Sequence, residues 1–198
     1  MLSTDCCPDM GTYNALLAAV AREGLWRQAE LIFQYMQDNK CQPNNHSCSS
    51  LVHAYANGGN TEGVERIARD VYSGKIEPEK VILKALVHAH SKCNKVEDAK
   101  QAYQKLQALG ETIDVSTHNA MISAYGKNGH IDKALETFES MARLQIEPDA
   151  ATYNSLIAMY GRGGFYRKAE EMFMAMVSAG VEPDIISYNT LLLAYAKH

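Results

Sequence analysis

Several kinds of feature are scarce in this chain, and each shortage removes a class of protein. Across 198 residues no apolar run approaches the roughly 20 residues that a membrane-spanning helix needs. The five cysteines, Cys6, Cys7, Cys41, Cys48 and Cys93, are odd in number and form no Cys-x-x-Cys pair. Neither a disulfide framework nor a zinc site is expected, and the thiols are read as reduced. Cys48 and Cys93 fall on helical repeats, as small core or near-surface thiols do. The opening MLSTDCCPDM lacks the basic and apolar regions of a secretory signal and the Arg-rich, acid-poor character of a transit peptide. Catalytic signatures are missing too. His88 and His90 are two residues apart, which sends them to different helix faces, unlike the i, i+4 histidines of a metalloprotease helix. Glu97-Asp98 and Glu170-Glu171 sit beside lysines, as on a solvated face. There is no aspartate cluster of a nuclease and no His-x-Glu…Cys-x-x-Cys of a zinc deaminase. No catalytic residue, metal site, cofactor or small-molecule substrate is assigned. With five prolines, 46% hydrophobic and 21% charged residues, usage is otherwise that of an ordinary globular protein.

What is present is a repeat. A unit recurs every 35 residues from Met10, Asn45, Lys80, Val115, Ala150 and Ile185, giving MGTYNALLAAVARE, NHSCSSLVHAYANG, KVILKALVHAHSKC, VSTHNAMISAYGKN, AATYNSLIAMYGRG and IISYNTLLLAYAKH without gaps. A fixed period of this size marks an α-solenoid, in which each unit buries its apolar face only against its neighbours. The expected fold is therefore all-α, with repeats at 10–44, 45–79, 80–114, 115–149 and 150–184. Residues 1–9, with Pro8-Asp9, read as the tail of a preceding repeat, and 185–198 as a partial repeat or capping helix. The chain is read either as a piece of a longer array or as a short array with one capping helix.

Each unit predicts two amphipathic helices. In the first, apolar residues fall at i, i+3, i+4 and i+7, as in Tyr13, Leu16, Leu17 and Val20 or Tyr153, Leu156, Ile157 and Tyr160. A break follows at Gly24, Gly59, Asn94, Gly129 and Gly164, the residue types that take the left-handed conformation past a helix end. The second helix restarts with a stripe such as Ala134, Phe138 and Met141 or Ala169, Phe173 and Met176. A small residue, Ala29, Ala99, Ala134 or Ala169, recurs at one place, with Val64 in the remaining unit, and predicts close approach of the paired helices. Units close on Pro43-Asn44, Pro78-Glu79, Pro148-Asp149 and Pro183-Asp184, where proline ends one geometry and Asn or Asp caps the next helix. The third unit departs from this with Ile113-Asp114.

The register TYN-x-LI…G-x-x-x-x-A…F-x-x-M…PD at this period resembles the pentatricopeptide repeat family, of the P type, from Met10 onward. Units four and five hold nearly every pattern position, and units two and three diverge more. The tetratricopeptide repeat is also a helix pair, but its period is about 34 and its first helix carries a Trp-Leu-Gly-Tyr pattern that is absent here. The resemblance implies a right-handed superhelix that binds single-stranded RNA sequence-selectively, one base per repeat. It also implies a role in organellar RNA processing, splicing, stabilisation or translation, in chloroplast or mitochondrion. The alternative is a protein-interaction scaffold of tetratricopeptide type, holding a peptide in its concave groove.

The net charge of −4 argues against a polyanion partner, but its distribution does not. The first fourteen residues of the six units carry seven basic side chains, Arg22, Lys80, Lys84, Lys92, Lys127, Arg162 and Lys197, against one acid, Glu23. Second helices and linkers hold the acidic excess. The thirteenth residue of the unit is Arg22, Asn57, Lys92, Lys127, Arg162 and Lys197, so stacked units would form a cationic row suited to a phosphate backbone. A cation near a helix C-terminus also complements the dipole, and both readings can hold together. The fifth residue is Asn14, Ser49, Lys84, Asn119, Asn154 and Asn189. Asparagine is a poor helix former, whereas its amide offers a donor and an acceptor to the edge of an unstacked base. The other reading is a surface residue tolerated near a helix start.

In the family that the chain resembles, the fifth and last residues of a unit jointly select a base, and second residues sandwich it. Carried over, the pairs are Asn14 with Asn44, Ser49 with Glu79, Lys84 with Asp114, Asn119 with Asp149, and Asn154 with Asp184, with Asn189 unpaired in the last, partial unit. Asn/Asp resembles the uracil-selecting combination and Asn/Asn a pyrimidine-selecting one. Ser49 hints at a purine, though Glu79 is not a usual partner, and Lys84 fits no familiar combination. Of the second residues, His46, Val81 and Ile186 offer a stacking surface, whereas Gly11, Ser116 and Ala151 offer little. Stacking on good platforms is worth roughly 1–3 kcal/mol per base, so more repeats, self-association or a protein partner are expected to supplement binding.

Overall fold

The computed structural model describes residues 8–110 and 112–196. Among these are eleven α-helices: α1 (Met10–Arg22), α2 (Trp26–Asp38), α3 (Asn45–Asn57), α4 (Thr61–Tyr72), α5 (Lys80–Lys92), α6 (Val96–Ala108), α7 (Val115–Lys127), α8 (Ile131–Arg143), α9 (Ala150–Arg162), α10 (Tyr166–Ser178) and α11 (Ile185–Ala196). Every first helix begins on the residue that the period marks. The chain divides into two compact units, 1–93 and 94–198.

In the unit 1–93, α3 lies between α1 and α5, while α2 and α4 pack along the other side of this row. Leu17, Val52, Ile82, Leu83 and Leu86 are fully buried where the first helices meet. Tyr55, also fully buried, donates its hydroxyl to Glu30 Oε1 at 2.6 Å. Arg66 bonds the same carboxylate at 2.9 Å and the Tyr55 oxygen as well, tying α2, α3 and α4 through one phenol. Burial, then the Glu30 hydrogen bond, pushes that phenol far above its ordinary range, so it stays a donor.

In the unit 94–198, α7 packs against α6, α8 and α9, and α9 continues to α10 and α11. Its core is Leu106, Met121, Ile122, Met141, Leu156 and Ile157. The small residues expected at helix-pair contacts, Ala29, Ala99, Ala134 and Ala169, are all buried, as is Val64, which replaces them in the second unit.

The breaks follow from backbone chemistry. Gly24, Gly59, Asn94, Gly129 and Gly164 have φ between +59° and +76°. The next residue's N–H reaches back to a carbonyl five residues earlier, as in Leu25 to Val20 at 3.0 Å and Phe165 to Tyr160 at 3.0 Å. This closes the helix end. At Gly24 the fit is also steric, since a Cβ there would lie 2.9 Å from the Asn57 carbonyl carbon.

One expectation needs correction. Leu16 is 47% exposed rather than part of a buried stripe, because α1 has a first-helix neighbour, α3, on one side only among the described residues. The second unit of the repeat is not of standard length inside: α4 has 12 residues where the other second helices have 13. Gly74 takes the left-handed conformation there, and the helix stops one residue early.

Candidate nucleic-acid interface

The first turn of each first helix is built around a cap. Asp9, Asn44, Asp114 and Asp149 accept the N–H of the residue three places on, as does Asp184. That residue is Thr12, Ser47, Thr117, Thr152 or Ser187, so a hydroxyl always stands beside the capping oxygen. The third unit lacks this arrangement. Glu79 makes no side-chain cap bond, and Ile82, in the hydroxyl's place, is buried apolar.

The cap is where the expected base-selecting pairs come together. The Asn119 amide donates to Asp149 Oδ1 at 2.9 Å and accepts from Thr152 Oγ1 at 2.6 Å, and Thr152 also reaches Asp149 at 2.9 Å. Asn154 donates to Asp184 Oδ1 at 3.3 Å. Asn14 and Asn44 are joined through a shared hydroxyl, with Ser47 Oγ at 2.7 Å from Asn14 Oδ1 and 3.0 Å from Asn44 Oδ1. Asn14, Asn119 and Asn154 are half-buried and their capping partners exposed. Each amide is held by the next helix start, and Asn154 Oδ1 is buried without a hydrogen bond. Asn189 on α11 is exposed.

Ser49 and Glu79 are not brought together: Ser49 is 8% exposed, Glu79 is exposed, and among the described residues no hydrogen bond joins them. Lys84 is half-buried on α5, and Asp114 accepts the Thr117 N–H and hydroxyl at 2.9 and 2.6 Å. The third-position hydroxyls were not singled out from sequence, although Ser or Thr three residues after the cap recurs in five of six units and marks this network.

Burial alone would raise the Asp149 carboxyl, but hydrogen bonds from Thr152 and Asn119 outweigh it and hold the group below its ordinary value. For Asp184 the Ser187 bonds act in the same direction. A depressed carboxylate contributes stability that is complete above its unfolded pKa and disappears as pH falls through the folded one. These caps are therefore ionised acceptors at neutral pH.

Arg22, Lys92, Lys127 and Arg162 are exposed at the last turns of their helices, and Lys197 lies outside the described residues. In the unit 1–93 the row is physically linked: the Asn57 amide donates to the Ala21 carbonyl at 2.7 Å and accepts from Lys92 Nζ at 2.7 Å. In the unit 94–198, Arg162 reaches over the buried Gly126, and burial pulls its pKa down without costing the guanidinium its charge. His46 and Ile186 are exposed and Val81 is half-buried. No helix among the described residues is long and apolar enough to cross a membrane.

Capped helix pairs at a constant period, with amides and cations recurring at fixed heights on the first helices, define a helical-hairpin repeat protein. The model described as PPR repeat family matches residues 8–57, 113–162 and 148–197, and that described as PPR repeat matches 81–111. The chain belongs to the pentatricopeptide repeat family. It is similar to the pentatricopeptide repeat protein PPR10 in complex with an 18-nt psaJ RNA element, with 39% identity over 96% of this chain and a TM-score of 0.86. PPR10 from maize gives 38% identity over 98% of the chain at a TM-score of 0.85. The fold is thus the α-solenoid class of stacked helical hairpins. The chain spans 28% and 27% of those two proteins' lengths. The PPR domain of Arabidopsis thaliana protein-only RNase P 1, in complex with tRNA, shares the fold at 14% identity, with 93% of this chain and 99% of that one covered and a TM-score of 0.69. No curated protein matches the chain.

Proposed function

We propose that this chain binds single-stranded RNA sequence-selectively, one base per repeat, as a non-catalytic part of organellar RNA processing, splicing, stabilisation or translation in chloroplast or mitochondrion. The observation that carries this is the pairing of Asn119 with Asp149 and of Asn154 with Asp184 on helices that also bear the exposed cations Lys127 and Arg162. The amides would meet base edges and the cations phosphates, the division of labour by which nucleic-acid binders separate choice from affinity. The similar PPR10 was crystallised with an RNA element, which supports the same ligand here.

The proposed preference, 5′ to 3′, is pyrimidine, undetermined, undetermined, uracil, uracil. The test is a titration of short single-stranded RNAs that differ only at the last two places. Tighter binding of UU than AA is expected, and equal affinity would refute the assignment. A peptide-holding scaffold would show neither this preference nor a steep dependence on salt.

A further inference from the structure

The fifth, ninth and thirteenth residues of a first helix are four apart and so form one stripe along it. The ninth residues are Ala18, His53, His88, Ser123, Ala158 and Leu193. Histidine occupies this place only in the second and third repeats, the two whose fifth residue is not asparagine. His53 lies between Ser49 and Asn57, and His88 between Lys84 and Lys92. The two imidazoles are neighbours, with ring centroids 6.5 Å apart and planes inclined by 49°. Both are half-buried, and Lys92 Nζ is anchored on Asn57 Oδ1 at the end of the same stripes.

We infer that His53 and His88 form a proton-dependent contact for the RNA backbone, which makes repeats two and three a base-indifferent grip that tightens with acid. This deepens the proposed function and rests on it. In repeat two the geometry gives base choice little support, since Ser49 is 8% exposed and makes no hydrogen bond to Glu79, and in repeat three the fifth residue is a lysine. Charge is what these stripes can supply. Burial, then the charges of His88 and Lys92, lowers the pKa of His53, so the neutral imidazole is favoured in the absence of an anion. His88 and Lys92 of α5 are the charged groups that face it. On α1, the equivalent places hold Asn14, Ala18 and Arg22, while Glu30 of α2 and Arg66 of α4 bond Tyr55 and Asp70 of α4 acts on Cys48. A phosphate placed between the rings would offset the repulsion between two imidazolium groups and Lys92 and would draw protons onto them. RNA binding and protonation then favour each other by linkage.

The full chain is titrated with a single-stranded RNA ending in UU, at about pH 8 and about pH 5.5, the interval over which imidazoles change charge. At the lower pH, affinity is expected to rise several-fold, and the slope of log affinity against log salt to steepen by roughly 0.7 for each imidazolium engaged. H53Q and H88Q should each lose most of the acid enhancement, read as the ratio of affinities at the two pH values, with His46, His118 and His130 unchanged in both. Varying the second and third bases should matter little at either pH. A pH-independent affinity in a chain that prefers UU to AA would overturn the inference and leave the proposed function standing, as would variants that keep the enhancement. Absence of RNA binding at both pH values would remove the functional reading itself.

Discussion

Asn119 spends both ends of its amide on the next helix start, donating to Asp149 and accepting from Thr152. That explains a half-buried asparagine in a helix better than tolerance of a poor helix former, since the amide bonds both members of the next helix's cap. It also leaves the remaining donor and the free lone pairs for a ligand. N119A should relax the uracil preference at the fourth place toward parity while lowering total affinity much less. It should also destabilise the fold by about 1 kcal/mol, as the loss of one net hydrogen bond does. RNA titration and a thermal melt on the same preparation check both, and retained uracil selectivity would assign the amide to structure alone. At this scale the sequence displayed the paired residues but not the hydroxyl that joins them. Spacing ranks a recurrent Thr152 as an ordinary first-turn residue, and only three-dimensional proximity reveals its bond to a side chain 33 positions earlier.

Between helices, small residues set how near the axes come. A Cβ on Gly161 would lie 2.7 Å from Ala194 Cβ and 3.1 Å from its Cα, so α9 and α11 meet almost backbone to backbone. G161A should push α11 away at a cost of about 1–3 kcal/mol, the usual range for overpacking. Amide exchange should quicken in α11 first, and an unaltered exchange pattern would mean that the junction yields freely. The helix bounds were legible because the period, the left-handed break and the Pro-Asx closure agree at nearly every unit. The early stop of α4 was not, since Gly74 departs by one place from a pattern in which Lys40 and Gln145 adopt the same φ without being glycine. The exposure of Leu16 was hidden for a related reason, because periodicity tells which residues form a stripe and not whether a neighbour covers it.

Over the whole molecule, the acidic sum conceals a division of labour, with cations on first helices and acids on second helices and linkers. K127Q and R162Q together should weaken RNA binding regardless of base and lower the salt slope by roughly 0.7 for each phosphate no longer neutralised. Filter binding across a salt series measures this, and an unchanged slope would place the polynucleotide elsewhere. The fold class was legible from the repeat, and the place of the candidate site followed from register. The histidine pair was not, because its meaning depends on two side chains 35 residues apart meeting from the stripes of neighbouring helices.

On the proposed reading the capping aspartates serve twice, which would couple recognition to folding. A chain redirected toward purines by exchanging Asp149 or Asp184 would also lose a helix-starting group, so retargeting one letter loosens the hairpin that follows it. Variants with new preferences are then expected to arise most readily where a neighbouring hydroxyl can take over the capping role, and specificity and heat tolerance would drift together through such an array.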